Sequence, residues 1–334
     1  MQGPRASANP PGDEAQWLAW VCRSAASGPS DPDLVLGPGD DAAIWRSPSG
    51  DSLLLAVDTI VEGIHFDLEV ASPEAVGRKA MNANLSDIAA MAGRPRAALV
   101  SLATPPGFGT ARLRQVMAGL RGAAERFGVS VAGGDLSRSP AGLHVTVTVV
   151  GDTGPSDSTS GSRAIRPVLR SGAKPGDVFV VTGPLGGSYE GHHLDFVPRV
   201  EEASILARRY DLHAMMDLSD GLGIDLHRLC RASGVGALID ESALPVSPEA
   251  TMLAARSGRS TTDHVLRDGE DFELVIAMSA ADAEDAARSE APCRVFPIGK
   301  VTDREGILEL RCLDGQVRPL EPIGHEHRID SDDH

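Results

Sequence analysis

The sequence predicts a two-domain α/β protein with mixed (α+β) sheets, and three observations carry that prediction. The chain has 334 residues, 42% of them hydrophobic, so it can bury a sizeable core and is long enough for two domains. Apolar, strand-like runs alternate with helical segments along most of its length. Loop-forming residues at 152–163, DTGPSDSTSGSR, indicate a domain junction. We therefore expect an N-terminal domain over 13–151, a C-terminal α/β domain over 164–329, and flexible tails at 1–12 and 330–334.

The N-terminal domain should begin with a helix over 13–24. The stretch SLLLAVDTIV at 52–61 contains a continuous apolar run that ends in an acid, which predicts a buried strand. A helix is predicted over 72–93, because Ser72 is a typical N-cap, a proline follows it and a glycine closes the segment. Two further strands are predicted at 98–105 and 143–151, with a helix between them at 110–128.

The C-terminal domain shows a second series of the same kind. A Gly-rich turn, GPLGGS at 183–188, follows its first apolar run. The other elements predicted for this domain are strands at 178–183, 214–221, 272–277 and 295–301 and helices at 199–210 and 222–234.

The composition argues against a nucleic-acid-binding surface. There are 47 acidic and 31 basic residues, a formal net charge of −16, and no block of Lys or Arg. The four cysteines are scattered without a C-x-x-C pair, which fits neither a zinc site nor a disulfide framework. No apolar run approaches the ~20 residues that span a bilayer. We expect a cytoplasmic protein that binds neither nucleic acid nor membrane.

Several aspartates stand where an apolar run ends, which is where α/β sheets place their ligand sites. Asp58 ends LLLAVD, Asp135 ends VSVAGGD, and Asp217 ends AMMD with Asp220 three residues later. Each acid also has a simpler explanation. Asp135 can form an Asx-turn after its two glycines, and Asp220 can favour a helix N-terminus. Taken together, however, these carboxylates lack enough basic neighbours in the sequence.

Further acids extend this pattern. Asp40 and Asp41 are adjacent in GPGDDAAIW, and a turn needs at most one of them. Asp87 shares a predicted helix face with small residues such as Ala80 and Ala83. Burial of its charge on that face is costly unless a cation meets it, either a basic side chain or a metal ion.

An all-oxygen set of this kind indicates a hard cation. Mg²⁺ is favoured over Ca²⁺, because the D-x-D-x-D-G calcium pattern is absent. Mg²⁺ usually binds a few carboxylates together with substrate phosphates, so the acids imply a polyphosphate ligand. The sequence has no G-x-x-x-x-G-K-[ST] motif and no protein-kinase motifs. An ATP site here would therefore use neither of those scaffolds.

The chain also resembles a known family between about residues 37 and 302. In family order it carries GPGDDAAI, VDTIVEGIHF, GRKAMNANLSDIAAM, GGDLSRS, RSGAKPGD, MDLSDGL and GEDFELV. These motifs resemble those of thiamine-monophosphate kinase, within the ATP-binding superfamily typified by aminoimidazole ribonucleotide synthetase. VEGIHF and GEDFEL favour this family over its relatives.

The resemblance implies phosphorylation of thiamine monophosphate to thiamine diphosphate, with ATP as co-substrate and several Mg²⁺ ions. It implies the two-domain aminoimidazole ribonucleotide synthetase-like fold, a homodimer that pairs N-terminal strands, and an active site between the domains. By motif position, the residues that would hold metal are Asp41, Asp58, Asp87, Asp135, Asp217 and Asp220, with Asp40 in support. Those that would contact ATP are Gly134, Asp135, Arg170 and Ser219. His65 and Glu270 would face thiamine monophosphate.

Three of these residues also have ordinary explanations outside their motifs. His65 can be a hydrogen-bonding residue beside a strand, Glu270 can belong to a turn, and Arg170 can fix a Pro-Gly turn.

The sequence departs from the family pattern in two places. Ala56 and Val57 replace the usual hydroxyl residues before Asp58. The C-terminal aromatic that often contacts the substrate is missing, so either His325 or His327 replaces that contact or the contact is absent. These departures concern substrate affinity more than the type of reaction.

The expected chemistry needs no general base. The acceptor is a phosphate with a second pKa near ~6, so it is already largely anionic at pH 7. The obstacle is repulsion between two polyanions, which bound Mg²⁺ would reduce. Two alternatives stay open at this point: another ATP-using enzyme of the superfamily, such as a purine-pathway ligase, or a nucleotide-binding scaffold without turnover.

Overall fold

A computed structural model of the chain describes residues 14–27, 31–154, 165–290 and 294–325, so the predicted tails lie outside the described residues. The helices are α1 (Glu14–Ser27), α2 (Pro73–Ala90), α3 (Gly109–Arg126), α4 (His192–Asp195), α5 (Val200–Arg209), α6 (Leu222–Ser233), α7 (Pro248–Ser257), α8 (Thr261–Arg267) and α9 (Ala280–Ala287). The strands are β1 (Leu34–Leu36), β2 (Ala43–Arg46), β3 (Ser52–Val61), β4 (Arg94–Thr104), β5 (Ser130–Arg138), β6 (His144–Asp152), β7 (Val178–Val181), β8 (Leu212–Asp217), β9 (Gly236–Asp240), β10 (Leu274–Met278), β11 (Phe296–Thr302), β12 (Leu308–Arg311) and β13 (Val317–Pro319).

These strands form two mixed sheets. The first has the order β1-β2-β3-β6-β4-β5, and only its β4–β5 pair is parallel. The second has the order β13-β12-β9-β11-β7-β10-β8, and only its β9–β12 pair is parallel. The predicted mixed α/β class is therefore confirmed. The predicted domain boundaries stay predictions, but each sheet falls within one of the two predicted domains except for Asp152, the last residue of β6, which lies one residue past the first domain.

One hydrophobic cluster connects the two sheets. It contains β3, β4 and β6 residues of the first sheet and β7, β8 and β10 residues of the second, for example Val147 and Met215. A second cluster covers the other face of the second sheet and is contributed by the C-terminal half alone. The interface between the two halves is therefore part of the main core.

Helix α2 lies in this interface. Ser72 caps its N-terminus by accepting a hydrogen bond from the Ala75 amide at 3.1 Å, and Pro73 occupies the first turn, as predicted. The helix packs against α3 and the first sheet, and also against β8, α4 and α5 of the second half. The sequence predicted one packed face, whereas nearly every side of α2 is buried.

Two glycines allow α2 and α3 to touch through their backbones. A Cβ atom on Gly77 would lie 1.9 Å from the carbonyl oxygen of Val116, and one on Gly119 would lie 1.8 Å from that of Glu74. Any side chain at either position would therefore push the two helices apart.

Several predicted strand features were wrong. β3 has the predicted length, but it alternates between buried and exposed residues, and Val57 is 61% exposed. Strand β3 continues to Val61 and β5 to Arg138, so Asp58 and Asp135 lie inside strands. Of the three acids predicted at strand ends, only Asp217 is the last residue of its strand. The chain continues in the sheet past those acids because polar residues still pair through their backbones.

We expect Gly77→Ala to destabilise the protein by about 1–3 kcal/mol, because the backbone carbonyl of Val116 cannot move aside as a flexible side chain can. Gly122→Ala in α3 is the matched control, since a Cβ atom there meets nothing within 4 Å. That change should be neutral or stabilise by up to ~1 kcal/mol. Urea unfolding of both variants provides the measurement, and equal midpoints would contradict the close-packing argument.

Candidate active site

Three predicted metal ligands converge where α2 passes between the two halves. Asp41, Asp87 and Asp217 each present a carboxylate oxygen, and these oxygens all lie within 4.8 Å of one another. Asp41 comes from the loop before β2, Asp87 from α2 and Asp217 from the end of β8. Residues far apart in the sequence thus form one acidic cluster, which we call the aspartate triad.

Neighbouring side chains hold the triad in place. The Ser86 hydroxyl, on α2, donates a 2.6 Å hydrogen bond to Asp217 Oδ2. Arg170 Nη2 donates at 2.7 Å to Oδ1 of Asp41, whose side chain is fully buried. Asp41 Oδ2 is also buried and has no hydrogen-bond partner among the residues that the structure describes. An orphaned carboxylate oxygen of this kind favours a bound cation.

Burial raises the pKa of Asp87 and of Asp217 well above the usual value. The neighbouring Asp58 carboxylate adds to the effect on Asp87, and Asp41 adds to it for both groups. The three close carboxylates of the triad repel one another when ionised, and Arg170 compensates only part of that charge. An all-oxygen donor set with excess negative charge fits a hard divalent cation such as Mg²⁺.

Asp58 and Asp40 lie at the edge of the triad. The backbone amide of Asp58 donates to Asn84 Oδ1 on α2 at 3.0 Å. The Asp58 residue is solvent-exposed, yet the protein around its carboxyl group removes enough hydration, with Asp220 and Asp41 adding repulsion, to raise its pKa to about 6. Burial and the Asp41 charge likewise raise the pKa of Asp40 to about 6, and the Arg170 amide donates to its carboxylate.

The expectation that these acids lack basic neighbours was wrong for Asp41 and Asp220, because each of them pairs with an arginine. Arg170 pairs with Asp41, and Arg228 of α6 pairs with both Asp220 and the fully buried Asp225. Sequence inspection missed Arg228 because it lies eight residues beyond Asp220, and only the helix brings it back to that carboxylate.

Asp135 does not join the triad. The strand register pairs it with Ser101, which pairs with Thr146, which in turn pairs with Thr59. Because paired residues share a sheet face and successive residues alternate, Asp135 belongs to the face opposite to that of Asp58. Asp135 is exposed on the edge strand β5.

A cavity of about 470 Å³ lies between β5 and α3. Gly134 and Asp135 line it together with Arg121 and a set of apolar side chains from both elements. A Cβ atom on Gly134 would lie 1.8 Å from the Val100 carbonyl oxygen, so glycine is required here for the strand to pack.

His65, Glu270 and Ser219 meet on the other side of the site. The Glu270 amide donates at 2.7 Å to the Ser219 carbonyl oxygen. Lys79 of α2 lies 2.6 Å from Glu270 Oε1 and donates at 2.6 Å to the His65 carbonyl oxygen. Sequence analysis missed Lys79, and the only available signal was a lysine among the small residues of GRKAMNANLSD.

Of the two histidines proposed to replace the missing aromatic, His325 lies near Glu270. Its positive charge is one of the influences that lower the pKa of Glu270 against the larger effect of burial. The His325 amide donates to the Asp220 carbonyl oxygen at 2.8 Å. His327 lies outside the described residues.

Comparison with known proteins identifies the family. Residues 39–153 match the family "AIR synthase related protein, N-terminal domain", and residues 174–310 match its C-terminal counterpart. The chain is 40% identical over 303 residues to the thiamine-monophosphate kinase of Rhodopirellula baltica, covering 89% of this chain and 92% of that protein. The chain belongs to the thiamine-monophosphate kinase family.

Further matches to the thiamine-monophosphate kinase family support this assignment. The Bacillus subtilis member is 33% identical over 287 residues, covering 80% of this chain and 84% of that protein. A solved structure described as "AaThiL complexed with AMPPCP and TMP" matches with a TM-score of 0.78 and 29% identity, over 94% of this chain and 97% of that one. The resemblance inferred from the sequence motifs is thereby confirmed.

This member of the thiamine-monophosphate kinase family has, in the part of the chain that the structure describes, no helix with the length and apolar character needed to cross a membrane.

We expect the stability of the chelated protein to fall as pH rises from about 4 through about 6. The Asp58 and Asp40 carboxyls have folded-state pKa values of about 6 against 3.8 ordinarily, so the folded protein holds protons that the unfolded chain has released. Thermal unfolding in EDTA at pH 5 and pH 7.5 measures this. Added Mg²⁺ should raise the melting temperature more at pH 7.5 than at pH 5, because metal and protons compete for the same oxygens.

Asp87→Asn sharpens this test, and Glu125→Gln on the exposed surface of α3 is its control. Asp87→Asn should raise the melting temperature of the chelated protein at pH 7.5 and reduce the gain from Mg²⁺, whereas Glu125→Gln should change neither. An undiminished Mg²⁺ gain in Asp87→Asn would contradict the assignment of the triad to a cation.

Proposed function

We propose that this protein transfers the γ-phosphoryl group of ATP to thiamine monophosphate, giving thiamine diphosphate and ADP. The observation that carries the proposal is the convergence of Asp41, Asp87 and Asp217 between the two halves of a family member. The relative described as complexed with AMPPCP, an ATP analogue, and TMP supports the substrate pair. Because ATP is an intracellular metabolite, a cytoplasmic location goes with this proposal.

Asp41, Asp87 and Asp217 are the residues that we propose to hold Mg²⁺, with Asp58 adjacent. Bound there, Mg²⁺ would neutralise phosphate oxygens and reduce the repulsion between the two polyanionic substrates. Asp220 and Asp135 stay proposed ligands, supported by their motifs. Asp220 also influences the Asp58 carboxyl electrostatically, whereas Asp135 lies apart from the triad within one chain.

Arg170 is the basic side chain that we propose to contact the ATP phosphates. Its Nη2 group is bonded to Asp41, while its buried Nε has no hydrogen-bond partner among the described residues. Desolvation by burial would lower the pKa of the guanidinium, but the nearby acids, Asp41 foremost, raise it above the usual value, so the group stays charged at every pH of interest. A guanidinium group that is charged, held in place and has an N–H without a protein partner is suited to hydrogen-bonding a phosphate oxygen.

The nucleotide is proposed to occupy the cavity between β5 and α3. The apolar lining suits a nucleobase, and Gly134 lets the ligand approach the strand backbone closely. Ser219 and Arg170 would contact the phosphates from the side of the triad. This arrangement accounts for a nucleotide site in a chain that carries no P-loop motif.

The acceptor is proposed to bind between His65 and Glu270, which belong to different halves of the fold. Its phosphate is already an anion near neutral pH, so no side chain needs to remove a proton. The role of these residues is to orient the acceptor phosphate toward ATP, which lowers the entropic part of the barrier.

A homodimer completes the proposal. The sheet face that α2 leaves uncovered carries exposed apolar side chains, including Val57 at 61% and Leu99 at 51% exposure. Both pair in register with Thr148 of the intervening strand β6, so they flank it on one face of the sheet. Exposed apolar side chains on a continuous sheet face are typical of an interface between proteins, and we assign the partner as a second copy of this chain.

Val57→Lys should shift the protein toward monomer, since a charge on this face would be buried against the second copy. Light scattering after size exclusion measures the change. Leu313→Lys, in an exposed turn of the second half, is the control and should leave the mass unchanged. A wild-type monomer at micromolar concentration would contradict the dimer.

The first test of function is ADP formation from ATP and Mg²⁺ with and without thiamine monophosphate. We expect turnover that depends on thiamine monophosphate and is lowered at least about 100-fold by Asp87→Asn, because the phosphates lose several kcal/mol of charge stabilisation. Glu125→Gln should keep the wild-type rate. ATP binding without acceptor-dependent turnover would support the scaffold alternative instead.

A further inference from the structure

Lys79 is the buried cation that connects the two halves at the acceptor side of the site. Its side chain is fully buried in the middle of the interface that α2 forms. Burial lowers the pKa of its ammonium group, and the Glu270 carboxylate opposes that effect. An ammonium group in such a place is retained only if it is paired and hydrogen-bonded.

Both partners of Lys79 are residues that the proposed function assigns to thiamine monophosphate. Nζ lies 2.6 Å from Glu270 Oε1 and 2.6 Å from the His65 carbonyl oxygen. His65 follows β3 in the first half, and Glu270 precedes β10 in the second half. One ammonium group therefore fixes the distance between the two walls of the acceptor site.

Glu270 needs this support because its backbone is strained. Its φ is +52°, a left-handed conformation that is unfavourable for a side chain larger than glycine. The backbone bond to Ser219 and the ion pair with Lys79 hold it there. Residues in such conformations persist only where the surroundings fix them, and they are concentrated at functional sites.

We propose that Lys79 is a positioning residue that sets Glu270 and the His65 segment in the geometry that binds thiamine monophosphate. This inference rests on the proposed function. Lys79 does not contact the substrate, because its side chain is fully buried and its ammonium group is engaged by protein oxygens.

Lys79 engages Oε1 of Glu270, and the Tyr189 hydroxyl also hydrogen-bonds this carboxyl group. Glu270 Oε2 is buried without a hydrogen-bond partner among the described residues, and His193 Nδ1 is 3.5 Å away. Burial and the Lys79 charge lower the pKa of His193 to about 3, so its ring is neutral at pH 7. The oriented Oε2 is thus an acceptor for a donor or a cationic ring on the substrate.

The test compares Lys79→Met, which keeps the length of the side chain, with Glu270→Gln and with the double variant. Each is measured in the full-length, Mg²⁺-loaded enzyme. We expect Lys79→Met to raise the KM for thiamine monophosphate about 10- to 100-fold, since Glu270 is left as an unpaired buried charge. The KM for ATP should stay within about twofold. Because Lys79 acts through Glu270, the effects of the two changes should not multiply in the double variant.

Asn82→Leu is the matched control, because Asn82 is also buried on α2 but its side-chain amide donates to the Phe196 carbonyl oxygen and not to a residue assigned to the acceptor. It should lower the melting temperature without altering the KM for thiamine monophosphate. An unchanged KM for thiamine monophosphate in Lys79→Met would overturn the inference, as would equal rises in both KM values or fully multiplicative effects.

If Lys79→Met does not fold, Lys79→Arg carries the same test. Arginine keeps the charge but replaces the compact ammonium group with a planar fork, so the KM for thiamine monophosphate should still rise while that for ATP stays constant. An unchanged acceptor KM would again overturn the inference. A wild-type enzyme without acceptor-dependent turnover would overturn the proposed function itself, which separates the two failures.

Discussion

The burial of helix α2 on nearly all sides is the constraint on which the rest of the structure depends. The buried polar side chains of a helix in that position cannot reach water, so they depend on partners in the protein or on a ligand. Asn84 receives the Asp58 amide, Ser86 bonds Asp217, and Lys79 bonds Glu270. Asp87 faces other carboxylates whose charge Arg170 offsets only in part, and this is where we propose that a cation binds.

This arrangement also explains why the site is costly for the folded protein. Converging aspartates and a left-handed Glu270 are both unfavourable in isolation, and each is maintained by the packing around it. Such local conflicts are expected at functional sites, where selection acts on binding and turnover and not on stability alone. The close contact of Gly77 with α3 is part of the packing that compensates.

The sequence predicted the family and the mixed fold class, because long motifs report on sites that many residues must build together. The resemblance implied six metal-binding aspartates, of which the structure groups Asp41, Asp87 and Asp217. It misplaced Asp58 and Asp135 at strand ends, since hydrophobicity marks where apolar residues stop and not where backbone pairing stops. The burial of Lys79 could not be predicted, because it depends on α4, α5 and β8 packing against α2 from the distant half of the chain.

The continuous core has a consequence for how the molecule comes apart. Because residues from both sheets belong to one hydrophobic cluster, neither half can lose its structure without exposing apolar surface of the other. The two halves are therefore coupled as a single cooperative unit in unfolding, and cleavage of the chain at the junction would not yield two independent folded fragments. A substitution in one half that alters its contact with α2 therefore also affects the packing of the other half.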